Sequence, residues 1–364
     1  MNNNINQDDS NYPPFSCTHS PNLPEILYNL KCSIAISTYQ AGKLIFISPL
    51  SNDKLMQLPR DFEKPMGIAV SGNKLGIATK QEVVILANSP SLAKTYPPKP
   101  NTYDAFYMPR ATYYTGFVDI HDLHWGNKGL WGVNTSFSCV VLIDENYSFT
   151  PKWKPKFITE LEHDDYCHLN GMAMKDGEPL YVSALGATNS PKAWKEKITT
   201  GGIVIDIPSN EIISKELAMP HSPRIYDNKL YMLLSATGEL VCIDTNNGSY
   251  EVVLKVRGFV RGMCKYGDYL FIGKSKLRET STTFEKLKDT AVGRESQNAG
   301  VSIVHLPTAK VVAEFLYLNS VEEIYDIQII PDAIRPGILN TKTPEHTLGL
   351  SIPEKTFWAD FPTA

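Results

Sequence analysis

A short apolar phrase recurs along this chain in six versions. They are Pro65-Met66-Gly67-Ile68-Ala69, Ile120-His121-Asp122-Leu123, Leu169-Asn170-Gly171-Met172-Ala173, Pro220-His221-Ser222-Pro223, Val260-Arg261-Gly262-Met263-Cys264 and Ile324-Tyr325-Asp326-Ile327. After most copies come a polar turn and a second apolar run, as in Lys74-Leu75-Gly76-Ile77-Ala78 and Lys229-Leu230-Tyr231-Met232. A strand-rich unit returning every 40–65 residues or so cannot bury its own apolar face and must stack on copies of itself, which marks a β-propeller. Six phrases predict six blades, beginning near Met66, Asp119, His168, Pro220, Val260 and Glu323. The fold class expected is therefore all-β, with long loops over one face.

Three apolar runs precede the first phrase: Ser33-Ile34-Ala35-Ile36-Ser37, Lys43-Leu44-Ile45-Phe46-Ile47-Ser48 and Lys54-Leu55-Met56-Gln57-Leu58. Only a weak strand signal, Thr347-Leu348-Gly349-Leu350-Ser351, follows the sixth. Pairing the two ends in one blade would close the ring and remove two exposed sheet edges. The expected boundaries are an irregular, proline-broken arm over 1–30, the propeller over 31–352 and a tail over 353–364. At 364 residues the chain exceeds an ordinary domain, and a closed β body absorbs that length. Insertions over 88–117, 186–200 and 274–299 interrupt the repeat. The first is expected to join an outer strand to the next inner strand. Helical periodicity is confined to Pro191-Lys192-Ala193-Trp194-Lys195-Glu196 and Thr283-Phe284-Glu285-Lys286-Leu287-Lys288, inside the other two.

Composition removes several function classes. A net charge of −4 without a basic run offers nucleic acid no hold by counterion release. No apolar run approaches the roughly 20 residues of a membrane span. The polar N-terminus lacks the basic flank and apolar stretch of a signal peptide, so a cytoplasmic location is expected. Six cysteines without a CxxC pair read as reduced, buried thiols. No nucleophile elbow, P-loop or dinucleotide fingerprint occurs. Cys167 adjoins His168, but neighbours along a strand point to opposite faces and make no dyad.

Aligned on the strand that follows, the phrases place Met66, His121, Asn170, His221, Arg261 and Tyr325 in one column. Only Asn170 needs a one-residue adjustment. Each residue would begin an innermost strand and face the central channel. Asp119, His168 and Glu323 stand two residues earlier and form a second tier. A histidine at a strand start often just bonds a loop carbonyl, but three at equivalent repeat positions also suit a metal. His124 has the wrong parity and reads as inter-blade packing, and His163 reads as part of a solvated acidic turn.

The chain resembles the six-bladed propellers of the senescence marker protein/gluconolactonase family and its strictosidine-synthase-like relatives. The match is one of pattern over residues 33 to 350, and His168-Leu169-Asn170-Gly171-Met172-Ala173 is similar to that family's Asn-Gly phrase. It is similar too to bacterial propeller-like proteins without an assigned function. The resemblance implies an asparagine metal ligand at Asn170 and a hard oxygen column suited to Ca²⁺. Here the column instead carries His121, His221 and Arg261. Imidazole donors rank zinc, iron or copper above calcium.

The expected function is a metal-dependent lyase, hydrolase or isomerase acting on a small polar or anionic substrate in the channel. His121, His168, His221 and Asn170 would hold a divalent transition metal, with Asp119 assisting. Arg261, Tyr325 and Asp326 are the catalytic candidates, and Asn170, Arg261, Tyr113 and Tyr114 the substrate-binding ones. Two alternatives stand beside it: a non-catalytic propeller that docks a protein or peptide, and a calcium-dependent gluconolactonase-like hydrolase.

Overall fold

The computed structural model describes residues 12–277 and 285–360. Six antiparallel sheets follow one another around an axis, and the chain folds as a six-bladed β-propeller. Numbered from the first phrase, blades one to five begin on the inner strands Ile68–Ser71, Ile120–Gly126, Leu169–Lys175, Pro220–Tyr226 and Phe259–Tyr266. In blade six the inner strand Asp326–Pro331 pairs with Cys32–Thr38, which continues into Lys43–Ser51 and Lys54–Asp61. Both ends of the ring thus meet in one sheet, as the spare N-terminal strands predicted.

Local sequence explains the repeated hairpin. In blades one to five, two residues alone separate the inner strand from the second: Gly72-Asn73, Asn127-Lys128, Asp176-Gly177, Asp227-Asn228 and Gly267-Asp268. Tight hairpins of this length need left-handed backbone, which glycine, asparagine and aspartate supply. Gly72, Asp176, Gly177, Asp227, Asn228 and Gly267 all have positive φ.

Packing between blades explains the continuous apolar runs. Cys32–Thr38 is buried along its whole length. Ile34 and Ile36 join Phe271, Val301, Ile303 and Phe315 of blade five, whereas Ala35 joins Ile68, Leu75 and Ile77 of blade one. Because strand side chains alternate, a sheet sandwiched between two others has no polar face.

Hydroxyls stitch successive blades. Ser37 donates to the Met66 carbonyl at 2.5 Å, Thr135 to Leu169 at 2.6 Å, Ser235 to Val260 at 2.6 Å and Ser275 to Ile324 at 3.1 Å. In each case a residue at the end of a second strand reaches the chain entering the next inner strand. Carboxylates do the reciprocal work: Asp122 accepts from the Met172 amide and Asp326 from the Ile68 amide.

Other segments differ from the reading above. Residues 105–114 lie within the expected first insertion, yet Ala105–Tyr114 is the fourth strand of blade one, and Pro336–Ile338 adds to its edge in parallel. Pro109 is tolerated there because the register shifts opposite Ile85 and Leu86, and a bulge needs no proline N–H. Within 1–30, Cys17–His19 pairs with the outer edge of blade five and Leu23–Asn29 is a helix capping its core. Lys355–Trp358 pairs with Gly349–Ile352, and Trp358 packs on Tyr96 and Phe106. Ala193–Lys197 and Glu285–Leu287 are 3-10 turns, while Thr283 and Phe284 lie outside the described residues. All six cysteines are free, and burial pushes the Cys32, Cys139 and Cys167 thiols up to about 12. No helix among the described residues is long and apolar enough to cross a membrane.

Candidate functional site

The inner strands of blades two to five are bulged near their starts. In blade two the register skips His121, in blade three it skips Asn170, and in blade five it passes over Arg261 and Gly262. A bulge leaves its extra residue out of the ladder and re-aims the side chain. Gly262 adopts φ +78°, and a Cβ there would lie 2.9 Å from the Asp326 Cα, so only glycine fits beside Arg261.

At the axis these ends surround a cavity of about 280 Å³. Blade two supplies Asp119 and His121, blade three His168, blade four His221, blade five Arg261 and blade six Glu323 and Tyr325. Asp119, His168 and Met219 each immediately precede an inner strand, each has positive φ (49°, 52° and 57°), and each lines the cavity. Left-handed backbone at non-glycine residues costs about 1–3 kcal/mol and concentrates at functional sites.

The three imidazoles share one hydrogen-bonding logic. Nδ1 of His168 lies 2.7 Å from the Asp165 carboxylate, and Nδ1 of His221 lies 3.0 Å from the Met219 carbonyl and 2.7 Å from Ser235 Oγ. Nδ1 of His121 lies 3.4 Å from Asn170 Oδ1; the Asn170 amide group is turned that way because its Nδ2 donates to the Pro220 carbonyl at 3.1 Å. Every Nδ1 therefore donates to an acceptor, and no Nε2 has a hydrogen-bond partner among the described residues. Burial lowers His121 and His221 well below the ordinary imidazole value, with Arg261 and His168 adding repulsion. Both rings are neutral at physiological pH, with a lone pair on Nε2.

The rings also pack on one another. His121 meets His168 edge to face at 5.0 Å and Tyr325 at 5.4 Å. Trp194, from the 186–200 insertion, lies 4.2 Å from the His168 ring and donates Nε1–H to the Asp165 carbonyl. Lys192 and Lys195 of the same insertion line the cavity, and Lys286 of the next insertion donates to the Lys195 and Glu196 carbonyls. Two of the three insertions thus meet over the channel. Residues 88–117 instead build the outer edge of blade one, where Tyr96, Tyr103 and Phe106 cluster.

Arg261 lies with its guanidinium carbon 3.4 Å from the centre of the Tyr325 ring and a nitrogen 3.7 Å from Glu323. The Tyr325 hydroxyl is buried with no hydrogen-bond partner among the described residues, and burial raises it well above 10 against the pull of Arg261. Tyr325 is a stacking wall in this geometry. Asp326 does not line the cavity: its carboxylate accepts the Ile68 and Ile327 amides and lies 3.8 Å from Arg224. Arg224 grips Asp122 at 2.8 and 3.1 Å, and this buried group fills the channel beyond the cavity. Met66 packs in the core, while Tyr113 and Tyr114 lie on the rim beside Tyr147. His124 stands 3.3 Å from Asp122, and His163 bonds the Phe117 carbonyl.

Asp165, Trp194, Lys192, Lys195, Met219 and Ser235 were not singled out from the sequence. Asp165 carried a signal, a carboxylate three residues before His168. Trp194 carried none, since the insertion's approach to the axis is a tertiary fact. Among the described residues no three histidine, cysteine or carboxylate side chains stand in place to hold a metal ion.

A family model described as "Domain of unknown function (DUF4915)" matches residues 21–339. The chain belongs to the DUF4915 family. The matched span includes every cavity residue. No curated protein matches. Among solved structures, a protein of unknown function from Bacteroides caccae is 10% identical, with a TM-score of 0.52 over 82% of this chain and 98% of that one. A chain of a nidogen/laminin complex is also 10% identical, with a TM-score of 0.48 over 83% of this chain and 99% of that one. At this identity the first likeness speaks for the fold alone.

Proposed function

We propose that the channel mouth is the active site of a metal-dependent enzyme acting on a small polar or anionic molecule. The observation that carries this reading is the common orientation of the three imidazoles. A metal-ligating histidine almost always donates its other ring N–H to a carboxylate, carbonyl or similar acceptor, which fixes the tautomer. His121, His168 and His221 each do so. Their Nε2 lone pairs suit zinc, iron or copper above calcium. A cavity near 280 Å³ lies at the small end of ligand pockets, which limits the substrate to a small molecule. A bound divalent ion would polarise a carbonyl or activate water there, for lyase, hydrolase or isomerase chemistry.

Among the described residues no three histidine, cysteine or carboxylate side chains stand in place around one ion, so metal binding requires the rings to move. That requirement favours a second reading in which neutral imidazoles accept hydrogen bonds from ligand hydroxyls directly, without a metal and without catalysis. Elemental analysis of the purified protein separates the two. Stoichiometric zinc, iron or copper that is lost in His121→Ala and His221→Ala supports the enzyme. Folded protein that takes up no transition metal on titration supports the metal-free reading.

A further inference from the structure

Arg261 is buried, 8% exposed, and its guanidinium meets Glu323 and the Tyr325 ring but donates no hydrogen bond to a described residue. Guanidinium carries five N–H donors, and none of the Arg261 nitrogens is among the fully buried, unpartnered atoms of the described residues, so its donors are open to a ligand in the cavity. Its neighbours explain its place and not its donors. The Tyr325 ring at 3.4 Å receives the cation on its face, and Glu323 at 3.7 Å balances charge from beyond hydrogen-bond distance. The backbone bulge at 261–262 holds the side chain at the cavity wall.

We infer that Arg261 is the anchor for a substrate carboxylate, taken up side-on through paired N–H donors. This deepens the proposal that the channel mouth is the active site. A planar carboxylate matches the arginine fork bidentately, and stacking on Tyr325 reduces the freedom the guanidinium would lose on binding. A phosphate fits less well. Asp119, Asp165 and Glu323 also line the cavity, and they repel a dianion more than a monoanion. Lys192 and Lys195 have no ion-pair partner among the described residues and stand on the insertion over the mouth, where they attract an anion during entry. The ligand class is therefore a small monocarboxylate whose remaining polar atoms face the histidine Nε2 atoms, such as a hydroxy acid.

The test titrates acetate, glycolate and inorganic phosphate into the full chain in chelator, read by calorimetry and by the fluorescence of Trp194, with Trp194→Phe as the optical control. Glycolate is expected to bind more tightly than acetate, and phosphate to bind least. Arg261→Gln should weaken the carboxylates by about 10–150-fold, the equivalent of losing a charge-assisted hydrogen bond. Arg261→Lys keeps the charge without the fork and should recover only part of that loss, and it serves where the glutamine variant does not fold. Carboxylate binding unchanged in both variants, or phosphate binding more tightly than glycolate, overturns the assignment. Because chelator is present, carboxylate binding through Arg261 is read without any metal, and the elemental analysis decides the metal reading separately. A metal-loaded protein indifferent to Arg261 sinks the carboxylate reading alone.

Discussion

Ser235 Oγ lies 2.7 Å from Nδ1 of His221 and hands its own proton to the Val260 carbonyl of the next blade. One hydroxyl therefore orients a cavity imidazole and fastens blade four to blade five. Ser235→Ala should lower unfolding stability by about 1–3 kcal/mol, because a buried carbonyl loses its donor. It should also weaken transition-metal binding about 10–100-fold through the loosened ring. Chemical denaturation and metal titration read the two effects separately, and Ser235→Thr should restore both. Lost stability with unchanged metal affinity would show that the hydroxyl only joins blades.

Gly262→Ala should destabilise by at least about 2 kcal/mol, since it combines left-handed strain with a backbone clash against Asp326. Gly72, also at positive φ, has nothing within 4 Å of an added Cβ, so Gly72→Ala should lose less. Thermal melts of the pair separate the clash from the strain; equal losses would refute the close-approach account.

The buried Asp122–Arg224–Asp326 group has a calculable pH signature. Burial raises the Asp326 carboxyl well above the usual range, and Asp122 adds to this, against the pull of Arg224. Burial also opposes ionisation of Asp122, but Arg224 and His124 outweigh it and hold that carboxyl low. Above about pH 4 the unfolded chain releases the Asp326 proton while the folded chain keeps it, so the native state binds more protons and stability falls as pH rises toward neutrality. His121 and His221 act in the opposite sense below about pH 6.5, because the unfolded chain binds protons that the buried rings refuse. The difference in stability between wild type and Asp326→Asn isolates the carboxyl. It should shift in favour of the variant as pH rises from about 4 to 7; a flat difference would mean that Asp326 is ionised throughout.

Tyr113 and Tyr114 face the rim, and Tyr114 is 75% exposed. Tyr113→Ala and Tyr114→Ala should leave metal and glycolate affinity within about twofold, as surface changes away from a site usually do. Titration of each variant decides it, and a tenfold loss would place the rim tyrosines in the binding path.

The ring was legible because each blade repeats a two-residue hairpin and an apolar strand pair, and both are local properties. The column was legible for the same reason, and His121, His221, Arg261 and Tyr325 reach one cavity. Its one-residue misfit at Asn170 was itself structural: the strand is bulged there, and the amide turns to orient His121 instead of facing the axis alone. Asp326 adjoins the cavity-lining Tyr325 on an unbulged strand, so ordinary alternation turns it away from the cavity. Trp194 and the two lysines were invisible because an insertion's landing place depends on contacts far along the chain. Ala105–Tyr114 was hidden by Pro109, which argues against a strand unless the partner's shifted register is known.

The blade that closes the ring also sets a timetable. Ser37 and Asp326 bond across 289 residues of sequence. At about 5–20 residues per second, a ribosome leaves the first three strands of that blade waiting for roughly 15–60 s with an open edge. During that interval Cys32–Thr38, buried on both faces once the ring closes, waits with an unpaired edge that another chain could take up.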